Sequence, residues 1–366
     1  MLDSLLNGAN RWALQTFSRD WVDYLVSNTM TEFNRRINPF VWSYQLQALL
    51  LAVHDEADGV KTFVLLPNQH WRDWQAGQHA EFVVEINGAQ HRRYYSLAQR
   101  ENGCVSITVK RVADGLVSNW IHQHWLPGKV IRLGLPQGSF VYRQQPKLLF
   151  ICAGSGITPC HSIAQALLQQ GVVVDMAFDA QFRHETDMIF ESSLRDWARE
   201  EGLNTNIALS QPRQSCANVV KPLDADELRR RYPDFAGRDI YLCGPQGFMD
   251  KTIALLQQAG FDLARLHCER FAGGTWEADA GVGEACEEIV FQHLNQRVQL
   301  DTEDAGKTLM QLAERHHVPL EIGCRQGMCG TCKLMLRQGK VSGNTLGNAV
   351  YLCSAYPASR RVVLDA

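Results

Sequence analysis

Cys324, Cys329 and Cys332 lie in one short loop, "CRQGMCGTC", and Cys353 follows after residues 333–352. Thiolates bind soft metals. C-x4-C-x2-C followed by a distant cysteine is the ligand order of a [2Fe–2S] cluster, with two thiolates on each iron. Gly327 and Gly330 let backbone N–H groups approach bridging sulfides with no Cβ in the way. A structural zinc ion usually takes two separate short hooks, and three ligands crowded into one loop fit it poorly. The spacing favours the cluster, with zinc as the alternative.

Two further groups of residues suit flat cofactors and phosphates. In "RRYYSLA", Arg93, Tyr95 and Ser96 form R-x-Y-S on a strand-like run. A tyrosine ring can cover a flavin face, a guanidinium can pair with phosphate, and a hydroxyl can sit beside the reactive flavin nitrogen. Taken alone, Tyr-Ser on a strand is ordinary packing. Downstream, Gly115, Leu116, Val117 and Ser118 are placed to open a helix whose free N–H groups hold a pyrophosphate, which favours FAD over FMN. In "LLFICAGSGITP", an apolar strand runs into Gly154, Gly156 and Thr158, a turn in which backbone can approach a dinucleotide phosphate. Pro159 suits the first helical position, although the third Rossmann glycine is absent. Arg183 and His184 follow the next strand, with Arg213 further on. They lean towards NADPH, with NADH possible; solvated surface cations are the competing reading.

Distinct kinds of element must carry these residues. Leu2, Leu5, Leu6, Ala9, Trp12, Ala13, Phe17, Trp21 and Leu25 recur at near-helical spacing, so residues 1–37 are expected to be a helical extension packed by its apolar face. Residues 38–145 hold short β-rich runs with turn signals such as Asn87-Gly88, the pattern of an antiparallel barrel. From 146 to 271, apolar strands ("KLLFICAG", "VVVDMAF", "DIYLCGP") alternate with amphipathic helices, which reads as an α/β domain on a parallel sheet. Residues 272–285 are small, acidic and Gly-rich, a linker. Residues 286–366 form a small α+β module around the helix "KTLMQLAERHH" and the cysteine loop.

Bulk properties narrow the setting. The 366 residues carry a formal charge of −3, which gives no electrostatic case for nucleic acid. Eleven cysteines, an odd number at irregular spacing, argue against a secreted disulfide framework and for a reducing, cytoplasmic compartment. No apolar run is long enough for an integral membrane segment. The first residues lack the pattern of a signal peptide, so any membrane contact is expected to be peripheral, through a partner.

With these motifs in view, residues 286–366 resemble a plant-type ferredoxin, which implies a β-grasp fold. One departure is that the stretch from Cys332 to Cys353 is shorter than usual and lacks the usual acidic residues. "AGQHAEF" at 76–82, R-x-Y-S, "GLVS" and G-x-G-x-x-P resemble, in that order, the ferredoxin–NADP reductase superfamily. That resemblance places Cys243, Gly244 and Pro245 at the nicotinamide. It places Glu269 near the catalytic Ser96, and Phe271 on the second flavin face. The fused order resembles the reductases that feed electrons to oxygenases, hydroxylases and membrane-bound acyl desaturases.

The valences agree. NAD(P)H gives two electrons as hydride, a [2Fe–2S] cluster takes one, and a flavin handles both, so it belongs between them. The expected activity is electron transfer from NADPH through FAD and the cluster to an oxygenase or desaturase. The alternative is a redox-sensing module with the same cofactors and no steady turnover.

Overall fold

The structure, a computed structural model, describes residues 38, 40–41, 43, 45–213, 220–271, 286–320 and 332–365. The expected N-terminal helix, the linker, Cys324 and Cys329 lie outside the described residues. The chain divides into two compact units, Met1–Cys268 and Glu269–Ala366.

The first unit begins with a closed barrel. Its strands are β1 (Gln47–Ala57), β2 (Val60–Pro67), β3 (His79–Ile86), β4 (Ala89–Gln99), β5 (Val105–Lys110) and β6 (Val130–Leu133), in the order β1-β2-β5-β4-β3-β6. Every pairing is antiparallel, and β6 closes the barrel by bonding both β1 and β3. Asn87 and Gly88 make the two-residue β3–β4 turn at φ of 52° and 78°, the left-handed conformation this hairpin needs. Alternate residues point inward, so Phe63, Leu65, Phe82, Leu97 and Ile107 fill the barrel. Helix α1 (Leu116–His124) caps it with Val117 and Ile121.

The rest of this unit is a five-stranded sheet ordered β11-β10-β7-β8-β9. The strands are β7 (Lys147–Ala153), β8 (Asp175–Phe182), β9 (Asn204–Leu209), β10 (Asp239–Cys243) and β11 (Leu266–Glu269). Helices α2 (Ile157–Gln169), α3 (Glu191–Glu200), α4 (Ala225–Arg231) and α5 (Gln246–Gln258) connect them. The pairings β10·β7, β7·β8 and β8·β9 are parallel. The apolar run "VVVDMAF" enters the sheet later than its composition suggests: β8 starts at Asp175, and Val173 is fully exposed. Pro159 is the third residue of α2, not its first. It still lies in the first turn, where its missing N–H breaks no helical bond.

The second unit holds a six-stranded mixed sheet, β13-β12-β17-β14-β16-β15. Its strands are β12 (Glu288–Phe291), β13 (Gln296–Gln299), β14 (Lys333–Gln338), β15 (Val341–Leu346), β16 (Ala349–Pro357) and β17 (Arg361–Asp365). Helix α6 (Leu309–Arg315) packs Leu309, Met310, Leu312 and Ala313 into the core with Ile289, Val350, Leu352 and Val362. Thr308 caps α6 reciprocally with Gln311. The mixed sheet over one helix is the expected α+β architecture.

Candidate redox site

Strand β4 puts Arg93 and Tyr95 of R-x-Y-S on one face and Ser96 on the other. Arg93 is exposed and bonded to the Arg92 carbonyl, Tyr95 is half-buried, and Ser96 is buried. Burial pushes the Tyr95 phenol up, against the opposing pull of Arg93, so the ring stays neutral. The Ser96 Oγ is enclosed without a hydrogen-bond partner among the described residues. A buried hydroxyl with no partner costs free energy unless something else satisfies it. That vacant valence suits the polar edge of a bound flavin. Gly115 is the N-cap of α1, with Leu116 its first residue; Ser118 turns inward and accepts from the Val112 N–H at 3.1 Å.

The nucleotide motifs meet at the C-terminal ends of the parallel strands, where such sheets bind ligands. Register pairs Cys243 with Cys152, so the turns after β7 and β10 leave the sheet side by side. Gly154 has φ +54°, and a Cβ at Gly156 would lie 2.4 Å from the Cys243 carbonyl oxygen. The glycine turn therefore rests directly on Cys243-Gly244, which a side chain would push away. Thr158 Oγ1 bonds the Ser155 carbonyl at 2.9 Å and holds the turn. Cys243 is fully buried, and Pro245 caps α5. Arg183 and Arg213 are exposed beyond the ends of β8 and β9. Between them the His184 ring bonds the Gln211 carbonyl, and the Glu185 carboxylate accepts from the Arg213 backbone N–H at 2.9 Å.

Two residues join barrel to sheet: Ser162, which no sequence motif contains, and Gly77 of the 76–82 run. Ser162 Oγ on α2 donates to the Leu97 carbonyl at 2.6 Å, next to Ser96, and accepts from the Gly77 N–H at 3.3 Å. A Cβ on Gly77, whose φ is +94°, would lie 2.0 Å from the Phe140 carbonyl oxygen. Thus α2 carries Thr158 in its first turn and, a turn later, pins the strand that bears Ser96. A serine inside a helical run gives no hint of such a role. Glu269 is buried at the end of β11, and Phe271 is 37% exposed; both stand at the border of the two units.

In the second unit, β14 pairs antiparallel with β16, Lys333 opposite Tyr351. Cys332 therefore abuts the Cys353 segment, with the Leu352 N–H bonded to the Cys332 carbonyl at 3.2 Å. The two Sγ atoms are 3.3 Å apart. That exceeds the ~2.05 Å of a disulfide. It approaches the roughly 3.8 Å between thiolates on one tetrahedral ion with metal–sulfur bonds of about 2.3 Å. The pair thus suits two ligands of one iron. Asn344, buried in β15, donates to Ser354 Oγ at 3.2 Å, and that oxygen is 4.0 Å from Cys353 Sγ. The short stretch between the cysteines is two tight turns linking β14, β15 and β16.

Comparison with known proteins agrees in order and extent. Residues 53–142 match the oxidoreductase FAD-binding domain family, 150–253 the oxidoreductase NAD-binding domain family, and 292–358 the 2Fe-2S iron-sulfur cluster binding domain family. The glycine betaine monooxygenase reductase subunit of Pseudomonas aeruginosa is 30% identical over 311 residues, covering 79% of this chain and 84% of that protein. The chain belongs to the ferredoxin–NADP reductase-type flavoproteins with a fused [2Fe–2S] domain. This iron–sulfur flavoprotein reductase is also 29% identical over 313 residues to an NADPH oxidoreductase of Mycobacterium tuberculosis, with 83% and 78% coverage. Its fold matches phthalate dioxygenase reductase with a TM-score of 0.54 at 21% identity, over 88% of this chain and 98% of that one. The reductase is an oxidoreductase whose cofactors are FAD, NAD(P)H and a [2Fe–2S] cluster. Among the described residues no helix is long and apolar enough to cross a membrane.

Proposed function

We propose that this reductase is the electron-supplying component of an oxygenase system. The observation that carries the reading is the union of flavin, nicotinamide and [2Fe–2S] modules in one chain, beside relatives named as monooxygenase and dioxygenase reductases. Those names favour an oxygenase over a membrane-bound desaturase as acceptor. When bound, FAD accepts a two-electron hydride and releases electrons singly, and the cluster carries one electron at a time.

The protein's own contribution is placement. Gly154 and Gly156 admit the dinucleotide phosphates to the first turn of α2, with Thr158 holding that turn. Arg183 and Arg213 offer guanidinium groups to an adenosine 2′-phosphate, so NADPH is the expected donor. Cys243, Gly244 and Pro245 back the nicotinamide. Arg93 and the residues at 115–118 hold the flavin pyrophosphate, and the neutral Tyr95 ring and Phe271 cover the flavin. Ser96 Oγ would donate to the reactive flavin nitrogen, and Glu269 is the carboxylate that the family resemblance assigns to that site. Cys332 and Cys353 would hold one iron, and Cys324 and Cys329 are the expected ligands of the other.

Anaerobic titration with NADPH, and separately with NADH, tests this reading. Both flavin and cluster bands are expected to bleach, with NADPH effective at lower concentration. Cys329→Ser is expected to keep flavin bleaching and lose reduction of cytochrome c. Full-rate cytochrome c reduction by that variant would overturn the route through the cluster. A single turnover without steady NADPH consumption would favour a redox sensor.

A further inference from the structure

The second unit is divided by charge. From residue 286 to 320 there are six carboxylates (Glu287, Glu288, Asp301, Glu303, Asp304, Glu314) and three cations. From Cys332 to Leu364 there are five cations (Lys333, Arg337, Lys340, Arg360, Arg361) and no carboxylate. Both described cluster cysteines lie in the carboxylate-free part. Three of those cations are already neutralised: Arg337 by Asp365, Arg360 by Glu287 and Arg361 by Glu288. Lys333 and Lys340 are exposed and have no acidic partner among the described residues.

Strand geometry places Lys333 beside the cluster and Lys340 past the far end of the same strand. Alternation along β14 turns Leu334 and Leu336 towards the core and Lys333, Met335 and Arg337 outward. Cys332 has the inward parity and is buried, so the first outward residue after the metal ligand is a lysine. Met335 is 41% exposed in the middle of the strand. An exposed apolar centre between the unpaired Lys333 and the Asp365-paired Arg337, about 13 Å apart at roughly 3.3 Å per residue, has the anatomy of a small docking patch.

We propose that the outward face of β14 at Lys333 and Met335, with Lys340 in the turn that follows the strand, is where the electron acceptor docks, and that the acceptor is a protein presenting an acidic surface. The proposal rests on the reading that this chain delivers electrons to another protein, and adds the sign and position of the contact. Each NAD(P)H leaves as NAD(P)⁺ with one proton and two electrons. The electrons depart in two successive encounters, reducing two acceptor molecules by one electron each. Unneutralised lysines at the exit (Lys333) and along the face that leads from it (Lys340) steer an acidic partner and raise its association rate, which falls as salt screens them.

The test uses the full-length reductase with NADPH and two haem acceptors, acidic cytochrome b5 and basic cytochrome c. The wild-type rate with cytochrome b5 is expected to fall roughly tenfold as ionic strength rises from about 0.02 M to 0.3 M, without a parallel fall for cytochrome c. Lys333→Glu with Lys340→Glu is expected to remove most of the low-salt cytochrome b5 rate and to speed cytochrome c. Lys333→Arg with Lys340→Arg is expected to behave as wild type. Cluster absorbance and its bleaching by NADPH should be unchanged in both variants, which separates docking from folding. A cytochrome b5 rate indifferent to salt and to charge reversal, with the cluster still bleached, overturns the docking proposal alone. A wild-type cluster that NADPH does not bleach overturns the electron-delivery reading, and this proposal with it.

Discussion

Ser96 shows how one atom concentrates a functional expectation. Its Oγ is buried with no hydrogen-bond partner among the described residues, so the fold gains nothing from the hydroxyl until a ligand satisfies it. Ser96→Ala should therefore leave thermal stability unchanged or slightly raised. It should slow NADPH-driven flavin reduction by about ten- to a hundredfold, the worth of one hydrogen bond of roughly 1.5–3 kcal/mol at a reacting atom. Stopped-flow absorbance checks the rate, and flavin content after gel filtration checks the fold. An unchanged rate would remove Ser96 from the chemistry. Arg183 is exposed, so its effect should be confined to the nucleotide. Arg183→Ala is expected to raise KM for NADPH about tenfold and leave KM for NADH unchanged, since only NADPH has the 2′-phosphate. Steady-state kinetics with both donors decides it; equal effects on the two would mean that Arg183 reads no phosphate.

At the scale of elements, the turns after β7 and β10 act as one structure. A Cβ at Gly156 would collide with the backbone of Cys243 and Gly244, so Gly156→Ala should separate the two turns. Weaker binding of NADPH, measured by equilibrium titration of the oxidised protein with NADP⁺, is the expected result. Further down the sheet, α4 is tied to β8 through a buried ion pair. Arg231 Nη1 donates to Asp179 at 2.8 Å, both side chains being 2% exposed, and Arg231 Nε donates to Glu227 at 2.6 Å. Burial raises the Asp179 carboxyl, and Arg231 pulls it the other way. Arg231→Met strands that carboxylate and should cost about 3–5 kcal/mol. Adding Asp179→Leu should recover much of the loss, since a paired charge and its apolar replacement are often of similar stability. Urea denaturation of both variants measures the difference.

For the whole molecule, the carboxylates set the acid limit. The Arg238 guanidinium first, with Lys147, holds the Asp234 carboxyl down at about 2 despite some burial; Arg230 and Arg231 do the same for Glu227, also at about 2. Folded values below the usual ones near 4 mean stability that is present above about pH 4.5 and is lost as pH falls towards 2. Asp234→Asn should lower stability at neutral pH and flatten the acid limb. Circular dichroism melts between about pH 2 and 7 test the slope, and an acid limb as steep as wild type would refute the assignment.

The cofactor inventory was legible in the sequence because it depends on local features. The three-cysteine loop, a glycine turn after an apolar strand and R-x-Y-S on a β-run each fall within about a dozen residues, Cys353 follows in the same short module, and their order along the chain needs no fold. The Asn87-Gly88 hairpin was equally local. What only the tertiary structure decided is non-local. Cys332 and Cys353 meet because β14 and β16 pair in one antiparallel register, and a shift of one residue would turn one thiol to the opposite face. Gly156 touches Cys243 because β7 and β10 lie side by side in parallel. The strand carrying Ser96 is pinned to α2 by Ser162, which no motif contains, and Ser162 also holds Gly77, whose motif says nothing of that contact. Lys333 could be found in the sequence, but its direction could not: alternation gives each strand two faces, and only packing against the core chooses which one meets solvent.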